Sequence, residues 1–385
     1  MLKITAPFVL GCAIALSAST STGAPLQTTQ IDQLPQGVAL DPQLWVSSTG
    51  KAGDKAALLR ALDDSLKYLR TSKSEQDYQD YAVPGITRDR VRESVQRFRQ
   101  LVVQSPSPEA LAEAVKREFS FYKSVGNDEQ GTVLFTGYYE ATFTASRKPT
   151  AEFKYPLYKA PAALAQWPTP NPTREQLEGT DGLQGSQGQL KGLELVWLRD
   201  RLEAFLVQVQ GSARLGLTDG GTMTVGFAGK TQHPYTSIGK EMIGDGIFTP
   251  EEVSLPALID HFQKQPADLD RYLPRNKSFV FFQETHGSPA MGSLSVPVTA
   301  ERSIATDKSI MPPGALALIQ TQLPYFNSAD QLEFQDVSRY VLDHDTGSAI
   351  KGPGRVDIFM GTGSKAADRA GVIKSSGALY YLLLR

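Results

Sequence analysis

A chain of 385 residues, 41% apolar and 21% charged, can bury one large core or two moderate ones, and two domains are expected. Its 39 Lys and Arg are interspersed among 41 Asp and Glu, which leaves no basic face and argues against nucleic acid as a partner. The single cysteine excludes an internal disulfide and a thiolate metal site. Met1 and Lys3 precede an apolar run over residues 4–18, and small residues follow to Ala24, the layout of a secretory signal over 1–24. That run is short for a membrane span, and no later segment approaches about twenty uninterrupted apolar residues. Val9-Leu10-Gly11-Cys12 loosely resembles a lipoprotein cleavage site. The apolar run continues past Cys12, which favours ordinary cleavage near Ala24 and an exported, soluble chain. Acylation at Cys12 would instead tether the exported chain to a membrane, weakly without a second signal.

Residues 25–53 contain Pro25, Pro35 and Pro42 without a sustained period and read as a linker. Leu58, Leu59, Leu62, Leu66 and Leu69 then recur at helical spacing, as do Val91, Val95, Phe98 and Val102. A third helix is expected from Ser107 as N-cap and Pro108 at the first position, with Leu111, Val115 and Phe119 on one face. Beyond Gly131 the texture changes to short β-branched and aromatic runs, and strands are expected over 132–143, 204–210 and 222–227. Helices interrupt near 237–243 and 253–262, the latter introduced by Pro250 and Ser254. Strands resume from Phe279, over 316–320, 340–345, 355–361 and 378–384. Many short, closely spaced strands argue for barrels over a parallel sheet with crossover helices.

The last hundred or so residues hold three aspartates in distinctive settings: Asp307 after Arg302-Ser303-Ile304-Ala305-Thr306, Asp345 in Asp345-Thr346-Gly347-Ser348-Ala349-Ile350-Lys351-Gly352, and Asp357 in Arg355-Val356-Asp357-Ile358-Phe359. Alternation over the last puts Val356, Ile358 and Met360 on one strand face and Arg355, Asp357 and Phe359 on the other. An aspartate beside an aromatic on a groove-facing strand is a candidate for a raised pKa. Residue chemistry alone favours the blander reading, a solvated edge aspartate.

The order of motifs changes that balance. Phe135-Thr136-Gly137-Tyr138-Tyr139-Glu140, Pro156-Leu157-Tyr158, Val209-Gln210-Gly211-Ser212-Ala213-Arg214-Leu215, His233-Pro234-Tyr235-Thr236-Ser237-Ile238-Gly239, Phe281-Phe282 and the three aspartate settings follow one another over about two thirds of the chain. Together they resemble the membrane-bound lytic murein transglycosylase A family. Ser348 stands where that family usually has a second glycine, and Lys230-Thr231-Gln232 replaces an Asn-Gly pair before His233. The resemblance implies a mainly β fold with N-terminal helices, in which a double-psi β-barrel domain and a second, inserted β-barrel domain are separated by a groove. The expected divisions are 54–140 for the helices and first strands of the catalytic domain, 141–284 for the insert and 285–385 for the three-aspartate barrel.

The resemblance further implies a lytic exotransglycosylase acting on peptidoglycan. It would cleave between N-acetylmuramic acid and N-acetylglucosamine and leave a 1,6-anhydro end. Asp357 corresponds to the catalytic aspartate, with Asp345 and Asp307 as companions. A single carboxyl group can serve, because the C6 hydroxyl of the sugar is the intramolecular nucleophile. Thr136, Gly137, Tyr138, Tyr139, Gln210, Gly211, Ser212 and Lys351 are the substrate-binding candidates. Adjacent on a strand, Tyr138 and Tyr139 point to opposite faces, so at most one lines the groove. Asp345 is expected to raise the pKa of Asp357, with Lys351 opposing if close. Backbone hydrogen bonding in Gly-rich turns remains the alternative role for Asp345 and Asp307.

No cofactor is expected, since His233, His261, His286 and His344 show no ligand spacing. The Asp343/Asp345 pair is a poor cation site by itself. Asp345-Thr346-Gly347 is also the aspartic-protease triplet, but it occurs once and follows a histidine. A non-catalytic wall-binding module is the remaining alternative. A monomer is expected, with peptidoglycan strands as ligand and cell-wall machinery as further partners.

Overall fold

The computed structural model describes residues 24–46, 53–79, 81 and 83–385; Cys12 and the body of the expected signal lie outside them. The segment expected as a linker is instead packed where it is described. It opens with β1 (Leu26–Thr29), paired with the later β2 (Phe119–Ser124), and goes on to bury Val38, Ala39 and Leu44. Beside this strand pairing and apolar packing, a buried charge network ties it to distant residues. Asp41, 1% exposed, accepts from Arg302, 0% exposed, whose guanidinium also donates to Asp54 at 2.6 and 2.8 Å. Such contacts reach far along the chain and leave no local period to read.

The expected helices follow as α1 (Lys55–Tyr68), a short additional α2 (Ser72–Gln79), α3 (Arg88–Gln104) and α4 (Pro108–Glu118). Thr87 and Ser107 cap α3 and α4 by accepting from the N–H groups of Arg90 and Ala110. Leu58, Leu62, Val91, Val95 and Phe98 are buried in the main core, and the Phe98 ring lies 4.7 Å from that of Tyr340.

The remaining elements are β3 (Val133–Ser146), β4 (Tyr155–Tyr158), α5 (Arg174–Glu178), β5 (Glu194–Leu198), α6 (Arg201–Gln210), β6 (Ser212–Leu217), β7 (Thr222–Lys230), α7 (Ile238–Gly244), α8 (Leu255–Lys264), α9 (Asp268–Tyr272), β8 (Val280–Glu284), β9 (Ser303–Ala305), β10 (Leu316–Phe326), β11 (Leu332–Asp345), β12 (Arg355–Thr362), α10 (Ser364–Val372) and β13 (Ser375–Leu384). The strand expected over 204–210 is therefore a helix, α6. Ala204 and Val207 pack into the main core, while Leu202, Phe205 and Leu206 pack into a second one. Burial on two sides erases the polar stripe that marks a surface helix. Asp200 at its N-cap and Gly211 in the left-handed region at its end set its limits.

Two sheets share β3. One runs β13, β10, β11, β9, β12, β3 and returns to β13, so it closes on itself. The other runs β4, β5, β3, β6, β7, β8, and an isolated bridge between Lys159 and Phe282 joins its ends. β3 follows β12 in parallel as far as Glu140 and β6 from Ala141 onward. One continuous strand thus fixes the two sheets against each other.

α10 seats on β3 and β12 at Gly137, where an added Cβ would sit 2.8 Å from the Ala370 Cα. Gly137→Ala is expected to lower stability by about 1–3 kcal/mol through overpacking. The urea midpoint measures it, and an unchanged midpoint would contradict the close approach.

Candidate active site

β9 lies between β11 and β12 and sets Ala305 opposite both Asp345 and Asp357, while Asp357 lies opposite Thr136 on β3. Residues opposite one another in a sheet share a face. The row therefore carries Thr136, Asp357 and Asp345 together, with about 9–10 Å, two strand spacings, between the backbones of the two aspartates. On the other face Val356, Ile358 and Met360 enter the core.

Above this row lies a cavity of about 690 Å³. Thr136, Gly137, Tyr138, Arg355, Asp357 and residues 347–350 form one wall, and side chains of the second sheet and its helices form the other, among them Phe205, Gln208 and Tyr235. A larger cavity, about 910 Å³, opens between residues 36–46 and β10–β11. Its aspartates are engaged, Asp41 with buried Arg302 and Asp336 with Gln322 of the same cavity wall. The chemistry points to the smaller one.

Asp357 is half-buried, and burial pushes its pKa up to about 6, with the charge of Asp345 pushing the same way. The Thr136 hydroxyl, which donates to Oδ1 at 2.8 Å, and the Arg355 cation oppose the shift. Asp345 is also raised by burial, but it accepts from Ser293 N–H (2.9 Å), Thr346 N–H (2.8 Å) and the Tyr138 hydroxyl (2.8 Å). Asp307 differs. Burial would raise it, yet the Gly352 N–H (3.0 Å) and Ser309 hydroxyl (2.7 Å), with Lys351 nearby at 3.5 Å, hold it below its ordinary value. It ties down the loop that follows Asp345 and lies outside the cavity lining.

Of the substrate-binding candidates, Thr136, Gly137, Tyr138 and Gln210 line the cavity. Gln210 also accepts from the Tyr139 N–H at 3.0 Å, which joins the end of α6 to β3. Tyr139 is 4% exposed in the main core, Gly211 ends α6, Ser212 begins β6 and Lys351 is exposed; none of these lines the cavity. Asp343 does not converge with Asp345. It is fully buried with Lys308, the Thr306 hydroxyl and the Tyr381 hydroxyl. His344 is buried between the hydroxyls of Ser65 (2.8 Å) and Ser303 (2.9 Å), and burial lowers its pKa to about 3.

Apart from Gln210, sequence reasoning missed the opposite wall. Arg174, 1% exposed, stacks between Phe205 and Phe279 and donates to Gln208 (2.6 Å), Glu178 and the carbonyls of Asn276 and Ser278, so it braces that wall. Tyr235 stood in a quoted motif without a role. Arg355 was only a neighbour of Asp357.

Residues 134–283 match the family model described as the MltA specific insert domain, and residues 302–383 match the 3D domain. The chain is 32% identical over 292 residues to a membrane-bound lytic murein transglycosylase A of Vibrio cholerae, covering 74% of each. Its structure is similar to that of a membrane-bound lytic murein transglycosylase from Agrobacterium tumefaciens, with a TM-score of 0.72 at 26% identity over 94% of this chain and 98% of that one. It is also similar to E. coli MltA with bound chitohexaose, with a TM-score of 0.68 at 25% identity over 94% of each chain.

Proposed function

Because the chain belongs to the membrane-bound lytic murein transglycosylase A family, we propose that Asp357 is the single acid and base with which it cleaves peptidoglycan glycan strands. The chain is a lytic murein transglycosylase, and its cavity is read as the seat of a glycan of the kind bound in the E. coli structure. Neutral Asp357 gives its proton to the departing glycosidic oxygen. As carboxylate it then takes the proton of the C6 hydroxyl while that oxygen closes on the anomeric carbon, which leaves a 1,6-anhydro end and a restored acid.

One observation carries this reading: the carboxyl groups of the described cavity lining are those of Asp357 and Glu241, and Glu241 is paired with Arg275 at 3.2 Å. A two-carboxylate hydrolase needs a second free carboxylate facing the first. The same count weakens the protease reading, since Asp345 is occupied by three donors and makes no hydrogen bond to Asp357. A raised acid in the cavity wall favours an enzyme over a binding module. The closed sheet is read as the double-psi barrel and the sheet from β4 to β8 as the inserted barrel. Export to the periplasm as a monomer, with Cys12 as a tether if it is acylated, completes the proposal. Among the described residues no helix is long and apolar enough to cross a membrane.

The test is the dependence of turnover on pH. An acid must be protonated, so turnover should fall as pH rises through about 6. Asp345→Asn removes the charge that raises Asp357 and should move this alkaline limb downward. Turnover should fall as well, because a neutral amide cannot serve all three donors. A limb that stays in place would uncouple the two aspartates.

A further inference from the structure

The partner of the acid is itself held by a third residue. Arg355 Nη2 lies 3.0 Å from the Thr136 Oγ1, and that oxygen lies 2.8 Å from Asp357 Oδ1. A guanidinium can only donate, whereas a threonine hydroxyl has one proton to give and lone pairs to receive. Once Oγ1 accepts from Arg355, its own proton is free to point at Oδ1. We infer that Arg355 is a positioning residue that fixes the direction of the Thr136 hydroxyl, so that Oδ1 of Asp357 is held as an acceptor and the transferable proton is confined to Oδ2.

The arrangement of Arg355 fits this role. It stands two residues before Asp357 on the same strand face and lines the same cavity, and its Nε finds no acceptor among the described residues. Its placement thus leaves one of its own donors unserved while serving Thr136. Without it, the hydroxyl can turn and accept the acid proton, which then faces Thr136 and not the glycosidic oxygen. The groups facing the Asp357 carboxyl are Arg355 on its own strand, Thr136 and Tyr138 from β3, and Asp345 from β11. Arg355 is the cation of this set.

The inference rests on Asp357 as the acid, so the experiment includes Asp357→Asn beside Arg355→Met, Arg355→Lys, Thr136→Val and the Thr136→Val/Arg355→Met double variant. Release of anhydro products from purified peptidoglycan strands is followed across pH. Arg355→Met is expected to lower kcat by about tenfold or more with KM within about twofold, and to move the alkaline limb upward because a cation near Asp357 is lost. Arg355→Lys should recover part of kcat, since it restores a donor and the charge. With Thr136→Val already present, Arg355→Met should add no further loss in kcat, because no hydroxyl is left to orient. Arg355→Leu, which likewise has no donor, replaces the Met variant if that does not fold. An equal loss in kcat with and without Thr136, or a raised KM at unchanged kcat, overturns the inference. Normal turnover by Asp357→Asn would overturn the underlying reading; an inactive Asp357→Asn beside an unimpaired Arg355→Met would overturn this inference alone.

Discussion

Asp357→Asn is expected to lower kcat on peptidoglycan strands by about a hundredfold to ten-thousandfold, the range for loss of a general acid. The amide keeps the shape of the side chain and an acceptor for the Thr136 hydroxyl, so the row of Thr136, Asp357 and Asp345 should persist. Binding of chitohexaose should therefore survive, and with it the melting temperature. Loss of binding together with turnover would mean that Asp357 shapes the groove and does not drive the chemistry.

The second large effect is on stability. Asp41→Ala removes one carboxylate from a site where Arg302 is wholly buried and strips the Tyr340 N–H of its acceptor at 3.1 Å. Breaking a buried pair by removing one partner costs about 3–5 kcal/mol, because the remaining charge has no solvent to turn to. Asp54 still pairs with Arg302, which places the expectation at about the lower end of that range. A fall in the urea midpoint at unchanged slope would show it. A midpoint equal to that of the parent would mean that the segment before α1 is dispensable, as a linker would be.

How the sequence could be read depended on whether the cause of each element is local. Helices α1, α3 and α4 were legible because one face of each is buried, and β12 because its alternation separates Val356, Ile358 and Met360 from Asp357. α6 was not, since it is buried on two sides and its apolar run has the look of a strand. Residues 36–46 were not, since their anchor is an arginine some 260 positions later. α10 was not noticed because it is short and the residues it buries are alanines, Ala366 and Ala370, which carry no large apolar side chain to mark a face. The same division runs through the site. Asp357, Thr136 and Tyr138 were accessible through the motifs that carry the family resemblance, and the register of β3, β9, β11 and β12 explains why motifs so far apart belong together. Arg174 and Phe205 were not accessible, because nothing in their local sequence says that they meet across a groove from β12, and Tyr235, though inside one of those motifs, had no role assigned to it there.

If a single carboxyl group directs an intramolecular attack, water takes no part in forming the new end. Digestion of purified peptidoglycan in ¹⁸O-labelled water, with the newly formed ends weighed by mass spectrometry, decides the point. The expected ends are 1,6-anhydro and carry no label, because the oxygen that closes on the anomeric carbon is the sugar's own. Labelled reducing ends as the primary product would show that water is the nucleophile, and would require a second carboxylate opposite Asp357 that this groove does not supply from its described lining.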